Sequence, residues 1–213
     1  MKTMLLLLTG WIMGPRIACA QFALHSLDTT ALPPEIKYTG HVLEAVRWTD
    51  SLGDNIVVTS ETGFQPSMYT PDDSYKGSYR DAAIYACHYL VEGGVYRLTW
   101  RVSDNIHECG LELKANFVPK TFAVTDLDHN GRAEVWLMYK VACEGGVDPV
   151  PMRIVMYEGD KRFAAKGTSK VPSTKGGWAG GNYSLDEAFR DGPEVFRKYA
   201  ETLWKAHEVE TLE

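Results

Sequence analysis

From His41 onward, short runs of alternating apolar and polar residues are broken by glycine, proline and acidic turns. The alternation is clearest in Tyr96-Arg-Leu-Thr-Trp-Arg-Val102, where Arg97, Thr99 and Arg101 separate the apolar positions. A period of two describes a sheet with one face in water. Comparable segments predict strands over residues 41–48, 54–60, 82–91, 95–102, 121–125, 133–142, 152–157 and 161–166. Glu92-Gly93-Gly94 and Tyr157-Glu-Gly-Asp-Lys161 are tight-turn signals, so neighbouring strands are expected to pair as antiparallel hairpins. Near the C-terminus the period lengthens. Ser184-Leu-Asp-Glu187 reads as a capping box, and Pro193 suits the first turn of a longer helix. In that helix Val195, Phe196, Tyr199, Ala200, Leu203 and Trp204 form one apolar stripe. The stripe is expected to cover the sheet, with a partner-binding helix as the alternative. The fold class read from this pattern is α+β: a largely antiparallel sheet, a meander of hairpins, with C-terminal helices packed on it.

The ends bound the compartment. Lys2, the apolar run from Met4 to about Met13, and Ala18-Cys19-Ala20 have the form of a signal peptide over residues 1–20, with Gln21 as the first mature residue. This predicts export to the periplasm or the extracellular space. Lipid anchoring at Cys19 is the weaker alternative, because Arg16 stands where an aliphatic residue is expected. Residues 21–40, with Pro33-Pro34, read as an extended lead-in, and residues 41–213 as one β-rich domain. The net charge of −6 becomes −8 once Lys2 and Arg16 are removed, which argues against nucleic acid as a partner. No later segment is long and apolar enough to span a membrane, so the mature chain is expected to be soluble.

Three cysteines follow the expected cleavage point. In an oxidising compartment an odd number implies one bridge and one leftover thiol. Cys109 and Cys143 lie at the edges of expected strands and are the expected bridge. Cys87 sits inside Ile84-Tyr-Ala-Cys-His-Tyr-Leu90 and reads as a buried thiol.

The most specific chemistry lies in Asp126-Leu-Asp128-His-Asn130-Gly131-Arg132-Ala-Glu134. Oxygen side chains two residues apart, then a glycine, then a carboxylate, suit the six to eight oxygens that calcium prefers. Asp126, Asp128 and Asn130 are the expected first ligands, with the backbone carbonyl of Arg132 and then Glu134, directly or through a water. The twelfth position is Leu137 rather than a bidentate glutamate, and a strand follows, so this is not an EF-hand. The same residues would also make a polar turn, since Asn-Gly between apolar runs needs no metal. Either way the loop is expected to be structural.

Catalytic motifs are thin. Gly-x-Ser-x-Gly, His-Glu-x-x-His, Walker and dinucleotide glycine patterns do not occur in the chain. A nucleophile could be sought in Cys87 with His88, or near His107, and a carboxylate-dependent hydrolase among Asp104, Glu108, Asp148 and Glu158. Solvated turn residues account for those acids more simply. Two irregular stretches remain as binding surfaces: residues 63–79 with Pro66 and Pro71, and Lys170 to Tyr183 with Gly176-Gly-Trp-Ala-Gly-Gly181. Trp178 is expected to tuck onto the core, the alternative being a sugar-stacking surface shared with Tyr183.

Two resemblances follow from these residues. Asp126 to Glu134 followed by a strand resembles the calcium loops of FG-GAP and related β-repeat proteins, although a single loop departs from a repeat array. Trp100-Arg-Val-Ser-Asp104, Thr125 to Glu134, Trp136-Leu-Met-Tyr-Lys140 ending at Cys143, and Met152 to Gly159 resemble an exported Bacteroidota family named for surface polysaccharide biosynthesis. That resemblance covers about residues 40–205 and implies an envelope accessory or binding protein for surface glycan. It carries over no catalytic residues. A periplasmic protein-binding module, such as an inhibitor of a lytic enzyme acting through residues 63–79, is the rival from another class.

Overall fold

The computed structural model describes residues 22–68, 78–145, 148–173 and 176–210. The expected signal peptide with Cys19, and residues 69–77 of the long loop, lie outside them.

Two antiparallel sheets form where the sequence pattern suggested one. The first contains β1 (His25–Ser26), β2 (His41–Asp50), β3 (Gly53–Glu61), β4 (Gln65–Pro66), β5 (Arg80–Glu92) and β6 (Val95–Cys109). Its order is β1-β2-β3-β5-β6, with β4 continuing the line of β3 along β5. The second contains β7 (Glu112–Phe117), β8 (Ala123–Thr125), β9 (Glu134–Glu144), β10 (Pro151–Glu158) and β11 (Lys161–Thr168). A ribbon of β12 (Lys170–Pro172) and β13 (Trp178–Gly180) follows, and β14 (Tyr183–Leu185) then returns to pair with β11. β7 and β8 share one edge of β9, so within each sheet the chain does meander.

The layers explain why β9 and β10 read as nearly continuous apolar runs: both of their faces are buried. Val135, Leu137, Tyr139, Val155 and Tyr157 meet Trp48, Val57, Trp100 and Val102 of the first sheet. On the other face Trp136, Met138, Met152, Ile154 and Met156 meet the helices α1 (Glu187–Asp191) and α2 (Glu194–His207). The helical stripe is seated as expected, with Phe196, Ala200 and Trp204 fully buried. Each such ring contributes roughly 1.5–3 kcal/mol through removal of apolar area from water.

The lead-in is less extended than its composition suggests. Leu27, Leu32 and Ile36 cover Ala45, Ile56, Val58 and Tyr89 on the outer face of the first sheet, and the Tyr89 hydroxyl accepts a hydrogen bond from the Lys37 amide at 3.0 Å. The helix start also differs. Ser184 lies in β14, and Asp186 caps α1 by accepting from the Phe189 amide at 3.0 Å. Pairing of β14 with β11 takes Ser184 into the sheet, and the Asp-x-x-Phe spacing supplies a cap two residues later. Gly167 makes that pairing possible, because a Cβ there would stand 2.0 Å from the Asn182 carbonyl oxygen.

Cys109 and Cys143 are bridged, with a Cα–Cα distance of 5.6 Å, and Cys87 is a buried free thiol, as expected. The bridge joins the end of β6 to β9 and therefore ties one sheet to the other. Among the described residues no helix is long and apolar enough to cross a membrane.

Candidate metal centre

The acidic loop is the connection between β8 and β9, closed by the pairing of Thr125 with Glu134. Its turn passes through two left-handed residues, His129 at φ 59° and Gly131 at φ 78°. Glycine occupies such a conformation without the steric penalty a Cβ brings, and the tight turn gathers the acids. One oxygen each from Asp126, Asp128 and Glu134 lies within 4.8 Å of the others. Glu134 is fully buried, whereas the two aspartates are half-buried.

Each carboxylate is aimed by local hydrogen bonds. Glu134 accepts from the Thr125 hydroxyl at 2.6 Å and from the Leu127 amide at 2.9 Å. The indole of Trp136 in turn donates to the Thr125 oxygen at 2.9 Å. Asp126 accepts from the Gly131 amide at 3.3 Å, and Asp128 from the Asn130 amide at 3.2 Å. Burial pushes the Glu134 carboxyl above its ordinary range, the Thr125 and Leu127 hydrogen bonds oppose that, and the charges of Asp128 and Asp126 add to the rise. Three like charges held together favour either a proton or a cation among them. The donor set fits a hard cation, with backbone carbonyls and water completing the shell.

Of the expected ligands, Asp126, Asp128 and Glu134 converge. Asn130 is turned otherwise: its oxygen accepts from the Arg132 amide at 2.8 Å, and its side-chain nitrogen donates to Asp128 and Glu158.

The loop is pinned to the opposite sheet, which the sequence did not signal. The carboxylate of Asp50, at the β2–β3 turn, accepts from the Ala133 amide at 3.0 Å, and the Ser51 amide donates to the Gly131 carbonyl at 2.8 Å. Asp50 also accepts from Leu52, Asn55 and the Trp48 indole. From Asn55 the network continues inward to His88 at 3.0 Å and on to Thr99. The His88 ring stacks on Trp100, which stacks on Tyr157. A lone Asp in a two-residue turn looks like any turn aspartate, so only the packing of the two sheets reveals its role.

The other candidate residues are dispersed. Cys87 faces the outer cluster with Ile36, whereas His88 faces the inner aromatics, as adjacent strand residues must. They therefore form no nucleophile pair. His107 stands 3.3 Å from Asp81. Asp104 pairs with Arg153, the Glu108 amide donates to Asp81, Asp148 lines a small cleft with Lys114 and Glu144, and Glu158 belongs to the surroundings of the acidic loop.

Trp178 departs from the expected tucked position. It is 55% exposed on the β12–β13 ribbon, with the Lys170 ammonium 5.4 Å from its ring centre. Val171 of the ribbon is buried, but β13 pairs only with β12, and Trp178, opposite Pro172, is left outside. Tyr183 instead packs on Trp204, with ring centres 4.9 Å apart. Comparison with known proteins adds no constraint, since no family model, curated protein or solved structure matches the chain.

Proposed function

We propose that this chain is an exported cell-envelope accessory or binding protein linked to surface polysaccharide, with calcium held structurally by Asp126, Asp128 and Glu134. The observation that carries the binding role is the exposed indole of Trp178, set beside a lysine on a short ribbon. An exposed aromatic face suits the apolar face of a sugar ring, and the Lys170 ammonium beside it, itself paired with Glu208 at 3.3 Å, gives that face a polar border. The inter-sheet disulfide supports an oxidising compartment. The acidic loop joins two strands and braces the sheets, a role that calls for a closed coordination shell rather than an open position for chemistry.

Retention on an array of envelope saccharides tests the reading. Wild type is expected to be retained and Trp178→Ala to lose most of that retention. A uniformly blank array at millimolar ligand overturns it. One observation favours a protein partner instead: Phe64 and Met68, at the start of the long loop, are 59% and 98% exposed. Pull-down from envelope extract separates the two readings, because the protein-binding module should bring down one stoichiometric protein whose recovery falls in Phe64→Ser.

A further inference from the structure

Away from the acidic loop, the second sheet carries a groove of about 500 Å³ whose lining includes Arg153, Arg162, Lys166 and Arg190. The register explains how they meet. Arg153 stands opposite Lys166, and Arg162 opposite Tyr157, so these side chains share the sheet face of Val155 and Tyr157. Arg190 reaches the rim from α1 and is fixed there by donating to the Leu185 carbonyl at 2.8 Å.

Part of this arrangement serves the fold, since Arg153 pairs with Asp104 of the first sheet and Arg162 donates a hydrogen bond to the Tyr157 hydroxyl. The cluster as a whole carries more positive charge than those contacts use. Like charges directly across antiparallel strands are destabilising, and four cations collect here in a chain whose net charge is −6. Of the four, only Arg153 has a carboxylate partner among the described residues. Asp104 pairs with Arg153. Asp186, the carboxylate in the lining, is occupied by the backbone amides of Ala164 at 2.8 Å and Phe189 at 3.0 Å. Among the described residues Arg162, Lys166 and Arg190 have no carboxylate partner. The groove is also of the size that ordinary small-ligand sites have, and its lining is mixed, with Val155, Ala164, Ala165 and Leu185 beside the cations.

We propose that this groove binds an oxyanion, the carboxylate or phosphate of a sugar-sized ligand, through Arg162, Lys166 and Arg190. Guanidinium and ammonium groups donate charge-assisted hydrogen bonds to such oxygens, and Arg does so in a two-pronged geometry. The aliphatic lining accommodates the uncharged remainder. The inference stands apart from the Trp178 surface: within the glycan reading it selects an acidic saccharide, and outside that reading it selects a phosphate compound.

Isothermal titration of full-length mature protein with hexagalacturonate, inorganic phosphate and neutral maltohexaose tests it. Binding of hexagalacturonate without maltohexaose supports the site and names an acidic sugar as its source. Binding of phosphate alone supports the site with phosphate as the source. In either case Arg162→Gln combined with Lys166→Gln should weaken binding at least about tenfold, as expected for lost hydrogen bonds to a charged group, and raised salt should weaken it in wild type. Arg162→Lys with Lys166→Arg should restore most of the affinity. Melting curves of each variant check that the fold persists, and Arg190→Gln, an exposed side chain of α1, gives an independent variant. Silence with both anions, or binding undiminished in folded variants, overturns the proposal. Trp178→Ala measured in parallel should leave anion binding unchanged, which keeps failure here distinct from failure of the array test.

Discussion

Two side chains illustrate how much a single residue carries in this fold. Asp128 sits in a cluster of three carboxylates with no lysine or arginine reaching into it among the ion pairs of the described residues. If calcium fills that cluster, a hundredfold excess over its dissociation constant adds about 2.7 kcal/mol of stability. For a domain of this length that corresponds to a rise in Tm of about 5–10 °C. We expect Asp128→Ala to abolish the difference between melts in calcium and in chelator, with the variant melting near chelated wild type. Identical wild-type melts, with no ion found by elemental analysis, would leave the loop a polar turn. His88 makes the second case. Burial beneath Trp100 lowers its pKa from 6.5 to about 4, with Asp50 opposing and Arg97 assisting. The native imidazole thus stays neutral where the unfolded one takes up a proton. Stability from this site is full above pH 6.5 and falls as pH drops from 6.5 to 4, by about 3 kcal/mol in all. Urea unfolding at pH 7, 5.5 and 4 should show that decline in wild type and lose it in His88→Gln; parallel declines would sink the assignment.

At the scale of elements, β9 is the member that both ties share. Glu134 begins it beside the acidic loop, and Cys143 stands near its end in a bridge to β6. With about 3.3 Å per residue the two lie roughly 30 Å apart. Cross-linking residues separated by 34 positions removes about 4 kcal/mol of unfolded-chain entropy on the loop-closure model. Replacing both Cys109 and Cys143 by Ala is therefore expected to lower stability by roughly that amount in denaturant titration. A loss below about 1 kcal/mol would mean that packing of Leu113, Ala115 and Tyr139 already fixes the sheets without the bridge. The buried face of α2 belongs to the same scale. Its stripe was legible because three- and four-residue spacing is a local property, whereas the cap at Asp186 was misplaced because a strand competed for Ser184.

For the whole molecule the consequence is a sandwich closed at both ends of β9, by a disulfide at one and by an acidic loop clamped to Asp50 at the other. Sites that far apart with no shared partners should act independently. The stability lost by chelation and that lost by removing the disulfide are expected to add within about 0.5 kcal/mol, measured in a four-way comparison of denaturation midpoints. Strong non-additivity would show that the two ties reinforce each other through β9.

Local patterns along the chain carry what short-range chemistry controls. The two-residue period marked most of the strands, glycine turns marked the hairpins, the apolar stripe marked α2, and cysteines at strand ends marked the bridge. Alternating oxygens marked the loop where three carboxylates converge. Contacts between residues distant in the chain were left to the tertiary structure. Continuous apolar runs in β9 and β10 do not say that helices cover one face and a second sheet the other, because burial on both faces looks the same whatever supplies it. β7 escaped notice because Leu113 and Ala115 form a brief alternation that only the edge of β9 completes. Trp178 lay outside the core because its strand pairs only with β12 and with no strand of either large sheet. Asp50 became a clamp, and Arg162 and Lys166 became neighbours of Arg190, only when separate hairpins and a helix were brought side by side. Pairing partners across a sandwich are set by the summed packing of whole faces, and no local pattern encodes that sum.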